Sequence, residues 1–264
     1  MKNFTKPFAV VTGASSGIGL ELARQFVQNG FHVLGAAEDA GIYNLASQLS
    51  NTADVEAIQV DLRKTEGIHE LVARIQAAGA PVEAIAINAG VGLGGAFVET
   101  DLQKELDMIA LNVTSSVHLA KHIARDMAAR GKGRILFTSS VAAVMPAPFE
   151  AVYGATKAFL LSFSDALRNE LKDSGVTVTA LMPGQTETNF FRRAEMMDTK
   201  VGTEEKDDPA DVARRGYEAL MNGEAHIVGG SFKTWAMGHL SELLPESVKA
   251  EMHRHLSEPG SANK

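Results

Sequence analysis

Cysteine is absent from the 264 residues. Disulfides, thiolate zinc sites and cysteine nucleophiles are therefore excluded, and the absence fits a reducing compartment. Long apolar runs are missing too. A polar start, Met1 to Pro7, precedes an apolar run, Phe8 to Val11, that is too short for a signal-peptide core or a bilayer span. No later stretch reaches ~18 apolar residues without a charge, so a cytoplasmic, soluble protein with no membrane span is expected. Positive charge is in deficit: 25 Lys and Arg stand against 32 Asp and Glu, a net charge of −7. Nucleic acid and anionic lipid repel such a chain, and neither is expected as a partner. There is no internal repeat, no low-complexity tract and no linker that would separate two domains. One domain over residues 1–264 is the expectation.

What is there is an ordinary globular balance, 45% hydrophobic and 22% charged residues. Short apolar runs lie at Phe8–Val11, His32–Ala36, Val55–Val60, Ala84–Ile87, Arg134–Thr138, Val176–Leu181 and Ala225–Val228. Most are rich in Val, Ile or Leu and do not alternate strictly, as strands buried on both faces do. Helical periodicity fills the gaps. Ile18, Leu22 and Phe26 share a face; so do Ile68, Leu71, Val72 and Ile75, and then Leu106, Ile109, Val113, Val117 and Ala120. The alternation predicts an α/β fold: a doubly wound parallel sheet of about seven strands with helices on both faces. Asp208-Pro209 reads as a helix start, with the acid as N-cap and the proline in the first turn.

Two segments resist this pattern. Residues 185–208 carry Phe190, Phe191, Met196 and Met197 among charges. A long irregular segment with that apolar content predicts a lid over something greasy, the alternative being a surface loop with a short helix. The extension at 231–264 carries Trp235, Leu240, Leu243, Leu244, Val248, Met252 and Leu256. It reads as a helix packed on its own domain, as a subunit interface or as a cap beside a substrate pocket.

The chemistry begins at Thr12-Gly13-Ala14-Ser15-Ser16-Gly17-Ile18-Gly19, between the first strand and its helix. Glycine lets a phosphate approach the backbone, and the helix start offers free N–H groups and a positive dipole end. The GxxxGxG spacing departs from GxGxxG, so the run alone is either a dinucleotide cradle or a tight turn. Tyr153 and Lys157 are spaced i, i+4 and share one helix face. A lysine cation beside a phenol lowers the phenol pKa, which acid/base catalysis near neutral pH needs; an incidental surface pair is the plain alternative. His118 and His122 are also spaced i, i+4. No HExxH glutamate and no third ligand accompany them, and no metal is expected.

Together these motifs resemble the short-chain dehydrogenase/reductase family over Phe8 to about Gly230. The resemblance rests on Thr12–Gly19, Asn88-Ala89-Gly90, Asn112, Ser139-Ser140, Tyr153-x-x-x-Lys157 and Pro183-Gly184, in that order. It implies a Rossmann-type fold and a set of roles. Tyr153 is the implied acid/base and Lys157 the residue that tunes it and bonds the nicotinamide ribose. Ser140, rather than Ser139, holds the substrate oxygen, and Asn112 supports a proton relay to the lysine. Gly13, Ser15, Ser16, Gly17, Ile18 and Gly19 would cradle the cofactor phosphates. Asn88, Ala89 and Gly90 would lie on the adenosine ribose side. Asp61, followed by Leu62, matches an adenine-contacting acid. Pro183, Gly184, Thr186 and Thr188 follow the sixth strand, with Thr188 matched to the carboxamide contact and Thr186 the second candidate.

The implied activity is hydride transfer between NAD or NADP and a small-molecule ketone or secondary alcohol. Met145, Pro146, Pro148 and Phe149, together with the lid, argue for an apolar one. A catalytically idle NAD(P)-binding regulatory protein on the same fold is the alternative; the intact set Asn112, Ser140, Tyr153 and Lys157 argues for the enzyme. At the end of the second strand, Ala37 stands where the family's NAD-selecting aspartate is usual and Glu38 where an arginine is common in NADP-dependent members. Acids at Glu38 and Asp39 disfavour a 2′-phosphate and favour NAD(H), unless a side chain such as Arg63 reaches in. The family, and the apolar faces of helices expected at 102–127 and 153–172, imply a homodimer or homotetramer.

Overall fold

The apolar runs become strands because each buries side chains on both sides of a sheet. The computed structural model describes residues 6–50, 54–230 and 244–263. Its strands are β1 (Phe8–Thr12), β2 (His32–Ala37), β3 (Val55–Gln59), β4 (Val82–Ile87), β5 (Gly133–Thr138), β6 (Val176–Pro183) and β7 (His226–Gly229). They form one parallel sheet in the order β3-β2-β1-β4-β5-β6-β7. The expected doubly wound α/β fold is present.

Strand alternation sorts the core into two layers. Phe8, Val10, Leu34, Ile85, Ile135 and Phe137 pack against α3 (Thr65–Ala77), α5 (Ser115–Arg130) and α6 (Ala151–Glu170). Ala9, Val11, Val33, Ala84, Ala86 and Leu136 face the other way, against α1 (Gly17–Gln28), α2 (Leu45–Gln48) and α9 (Pro209–Asn222). Asp208 caps α9 by accepting the Ala210 N–H at 2.8 Å, with Pro209 in the first turn. The chain leaves β1 on one side of the sheet and returns at β4 on the other. The crevice at that switch point, outside the strand C-termini, is where open α/β sheets bind ligands.

One face differs from expectation. Between α4 (Leu102–Ile109) and α5 the helix opens into a π turn at Ala110–Thr114. Leu106 and Ile109 are exposed, and Val113 and Val117 are half-buried. Of the expected face Ala120 is buried, and the core side is otherwise Met108, Leu111 and Leu119 interleaved with Glu105, Asn112, Ser115 and Ser116. The inner side of this helix carries polar residues because it holds Asn112 and serines that bond back to the preceding turn.

The segment 185–208 folds into α7 (Phe190–Arg193) and α8 (Lys200–Thr203), with its two ends tied together by a bridge between Thr186 and Asp207. Phe191 and Met196 are buried and Met197 is exposed. α10 (Glu246–Ser257) follows in the C-terminal extension. Trp235, Leu240 and Leu243 lie outside the described residues. No described helix is long and apolar enough to cross a membrane.

Candidate active site

The glycine run turns sharply because two of its residues need backbone that other residues resist. Gly13 has φ +69° and Gly17 has φ +56°. A Cβ at Gly19 would collide with the Gly13 carbonyl and crowd the Asn88 amide. Ser16 precedes α1 in extended conformation, and its side chain makes no cap bond to the helix. The first N–H groups of α1 therefore open into the cleft.

Three side chains fix the floor beside this loop. Thr12, fully buried at the end of β1, accepts the N–H groups of Asn88 at 2.9 Å and Ala89 at 3.0 Å. Asn88 returns its amide N–H to the Thr12 carbonyl at 3.1 Å and accepts the Thr138 hydroxyl at 3.0 Å. β1, β4 and β5 are thus joined at their C-terminal ends. Thr138 carries no signal in the sequence beyond its place in a strand.

The second half of the cleft gathers Ser140, Tyr153 and Lys157, all buried. Lys157 Nζ donates to the Thr138 carbonyl at 2.8 Å and stands 5.7 Å from the Tyr153 ring centre. Ser139 is spent on structure, its hydroxyl donating to the Lys157 carbonyl at 2.8 Å. Ser140 Oγ accepts the Ala142 N–H at 3.1 Å. Burial pushes the Tyr153 phenol up, the Glu150 charge adds to this, and the hydrogen bond with Ser140 pulls the other way. Burial lowers the Lys157 ammonium to about 8. The expected depression of the phenol by Lys157 does not emerge, because desolvation dominates both groups.

Asn112, in the π turn, donates to the Val91 carbonyl at 2.9 Å and to the Thr156 hydroxyl at 3.0 Å, and accepts the Val91 N–H at 3.0 Å. It stands behind the cavity wall. A Cβ at Gly90 would lie 3.1 Å from Asn112 Oδ1 and 3.2 Å from Lys157 Nζ, so the missing side chain keeps a gap between the two.

One continuous cavity is lined by Gly13, Ser15, Ser16, Gly17, Ile18, Gly19, Glu38, Leu62, Asn88, Ala89 and Gly90. The same wall continues through Ser140, Tyr153, Lys157, Pro183, Gly184, Thr186 and Thr188. Asp61 is not on that wall. Its carboxylate is bound by Arg63, with Nε at 2.8 Å and the backbone N–H at 3.0 Å. Arg63 does reach the end of β2, 3.1 Å from Glu38. Asp39 accepts the Ser15 hydroxyl at 2.6 Å and so ties β2 to the glycine loop. From the lid, the Phe190 ring packs on Tyr153 with ring centres 5.3 Å apart. No motif marks the buried residues that α10 brings here: His253 and Ser257, both bonded to Glu150.

His69 joins His118 and His122, with neighbouring ring centres 5.2 Å apart. Among the described residues no His, Asp or Glu group is arranged to hold a metal.

A sequence model described as short chain dehydrogenase matches residues 7–198. A short-chain type dehydrogenase/reductase of Sinorhizobium fredii is 36% identical over 70% of this chain and 72% of its own. A short-chain dehydrogenase from Sphingobium yanoikuyae, solved in complex with NADPH, superposes with a TM-score of 0.78 at 30% identity, over 84% of this chain and 87% of that one. A bulky-bulky ketone specific alcohol dehydrogenase from Comamonas testosteroni superposes with a TM-score of 0.75 at 29% identity, over 94% of this chain and 98% of that one.

Proposed function

The chain belongs to the short-chain dehydrogenase/reductase family and is an NAD(P)-dependent oxidoreductase; we propose that it interconverts an apolar ketone and the matching secondary alcohol, with Tyr153 as the acid/base. The observation that carries this is a single cavity wall running from the glycine loop to Ser140, Tyr153 and Lys157.

The cradle fits a dinucleotide. The helix start is open, and a side chain at Gly19 would fill the turn. The loop Gly13–Gly19 would hold the pyrophosphate, Asn88 to Gly90 the adenosine side, and Pro183, Gly184, Thr186 and Thr188 the nicotinamide end. Bound there, a nicotinamide supplies or accepts the hydride.

The protein's own residues handle the oxygen and its proton. Ser140 and Tyr153 hold the carbonyl oxygen as negative charge develops on it. Tyr153 gives that oxygen a proton in reduction and takes it back in oxidation. Lys157, cationic below about pH 8, faces the phenol and favours its anion at that moment. Phe190 covers the tyrosine and excludes water. Asn112 acts behind them, fixing Val91 and Thr156 around Lys157.

NAD(H) is the proposed cofactor. Arg63 reaches the end of β2, but it already faces Glu38, Asp61 and Asp107. With Asp39 alongside, a 2′-phosphate meets net negative charge. A homodimer or homotetramer is also proposed, since Leu102, Leu106, Ile109 and Phe159 are exposed on α4 and α6, two helices in contact.

The test is a panel of ketones and secondary alcohols followed by nicotinamide absorbance, with Tyr153→Phe beside the parent. The variant should bind NADH and lose about 10²–10⁴-fold in turnover. Turnover at the parent rate would refute the assignment.

A further inference from the structure

The substrate half of the cavity mixes an apolar wall with polar groups: Gln185, Asn189 and Arg193 come from the lid segment, and one carboxylate comes from the start of α6. Met145, Phe190 and Leu256 line it, and so does Glu150. Glu150 precedes α6, three residues before Tyr153, and is only 5% exposed. Its Oε2 accepts two bonds from α10: His253 Nε2 at 3.0 Å and Ser257 Oγ at 2.8 Å. His253 is 8% exposed and Ser257 1%. The other carboxylate oxygen, Oε1, has no hydrogen-bond partner among the described residues, although Glu150 lines the cavity.

A carboxylate oxygen on a cavity wall takes a donor from water or from a ligand. α10 is seated so that this oxygen keeps its place. Lys249 donates to the Val144 carbonyl at 3.3 Å, and the Arg254 guanidinium lies 5.0 Å from the Phe149 ring centre. Beyond α10, Ser261 accepts the Lys200 N–H at 3.0 Å and Ala262 donates to the Asp198 carbonyl at 3.0 Å. The helix therefore spans from the lid to the start of the catalytic helix. Nothing in carbonyl reduction by Ser140, Tyr153 and Lys157 uses a carboxylate here. A negative charge so near also works against the tyrosine anion, so its presence calls for another use.

We propose that Glu150 is a substrate-recognition residue: held through Oε2 by His253 and Ser257, it accepts at Oε1 a hydrogen bond from a hydroxyl group carried on the otherwise apolar body of the substrate. The proposal rests on the carbonyl-reduction reading and narrows it to hydroxylated ketones and the corresponding diols. An analogue lacking the hydroxyl expels water and leaves the carboxylate oxygen unpaired. A site built around a buried polar group rejects such an analogue strongly.

The experiment compares acetophenone with its ortho-, meta- and para-hydroxy derivatives and with phenacyl alcohol. Binding is measured by calorimetry to the full chain saturated with NADH, in a Tyr153→Phe background that stops turnover. At least one hydroxylated probe should bind tenfold or more tightly than acetophenone, as a bond to a charged acceptor implies. Glu150→Met, which matches the side chain in length and carries no acceptor for a hydroxyl, should bring the two affinities together. If Glu150→Met fails to bind NADH, Glu150→Gln serves instead, with a partial loss of the preference. Equal binding of all probes, or a preference that survives these substitutions, overturns the proposal. Parent enzyme that binds hydroxylated probes preferentially yet turns over no ketone would sink the redox reading and leave the recognition role standing.

Discussion

Thr12→Val tests whether the floor of the cleft is built as described. Valine matches threonine in shape, so the substitution removes only a hydroxyl from a fully buried site. That hydroxyl accepts two N–H groups, from Asn88 at 2.9 Å and Ala89 at 3.0 Å. Losing the shared acceptor leaves both donors unpaired. An orphaned buried donor costs about 1–3 kcal/mol. Asn88 and Ala89 are only half-buried, so each belongs near the lower end, and the pair should cost about 2–4 kcal/mol. With a urea dependence of about 3 kcal/mol per molar, the unfolding midpoint falls by about 1 M. Thr12→Ser keeps the acceptor and loses one methyl group, a cost of about 1 kcal/mol. NADH should also bind more weakly to Thr12→Val, because the Asn88–Gly90 floor slackens. The assay is urea unfolding by circular dichroism on the three proteins, with NADH titrations beside it. A Thr12→Val midpoint matching the parent, or a Thr12→Ser loss as large as that of valine, would refute the reasoning.

Burial of Lys157 gives a second expectation, in the pH dependence of stability. Its folded pKa of about 8 lies below the ordinary 10.5, so above pH 8 the unfolded chain holds the extra proton and stability rises with pH. From pH 8 to 10 the gain is about 2–3 kcal/mol, and Tyr153, whose pKa moves up from 10.0, opposes it only at higher pH. Urea unfolding at three pH values should show this rise in the parent and not in Lys157→Met; equal slopes would end the idea. For the cofactor, calorimetry should find NADH bound more tightly than NADPH, and Glu38→Ala, which removes one of the three acids facing Arg63, should improve NADPH binding at least tenfold. The reverse order in the parent would overturn the NAD(H) reading. Light scattering at micromolar concentration should give a dimer or tetramer, with Leu102→Glu and Phe159→Glu shifting it toward monomer; a monomeric parent would refute it.

The sheet was legible because parallel strands, covered on both sides, must be apolar along their length. Each expected run lies within two residues of a strand end. The orientation of the helix around Asn112 was not legible. Apolar periodicity reports a face without saying whether core or another subunit covers it, and here the inner side carries Glu105, Asn112, Ser115 and Ser116. The π turn that presents Asn112 has no composition of its own. In the site, the short-range patterns Gly13–Gly19 and Tyr153–Lys157 were readable from spacing. The Glu150–His253 contact joins residues 103 apart in sequence, and no spacing rule connects them. Arg63 was visible only as one of several cations that folding might bring in; the bend at Asp61 decides that it is the one.

The helix α10 has a further consequence, for how such a protein can change. The family match ends at residue 198, and α10 follows it. The residues proposed to handle hydride and proton lie within that match, while α10 adds His253, Leu256 and Ser257 to the cavity wall. Such an arrangement is modular. Selectivity can drift through α10 while the chemistry stays under separate constraint. A chimera carrying a relative's C-terminal helix would inherit that relative's selectivity only if position 150 were exchanged with it, because the two halves meet at that carboxylate.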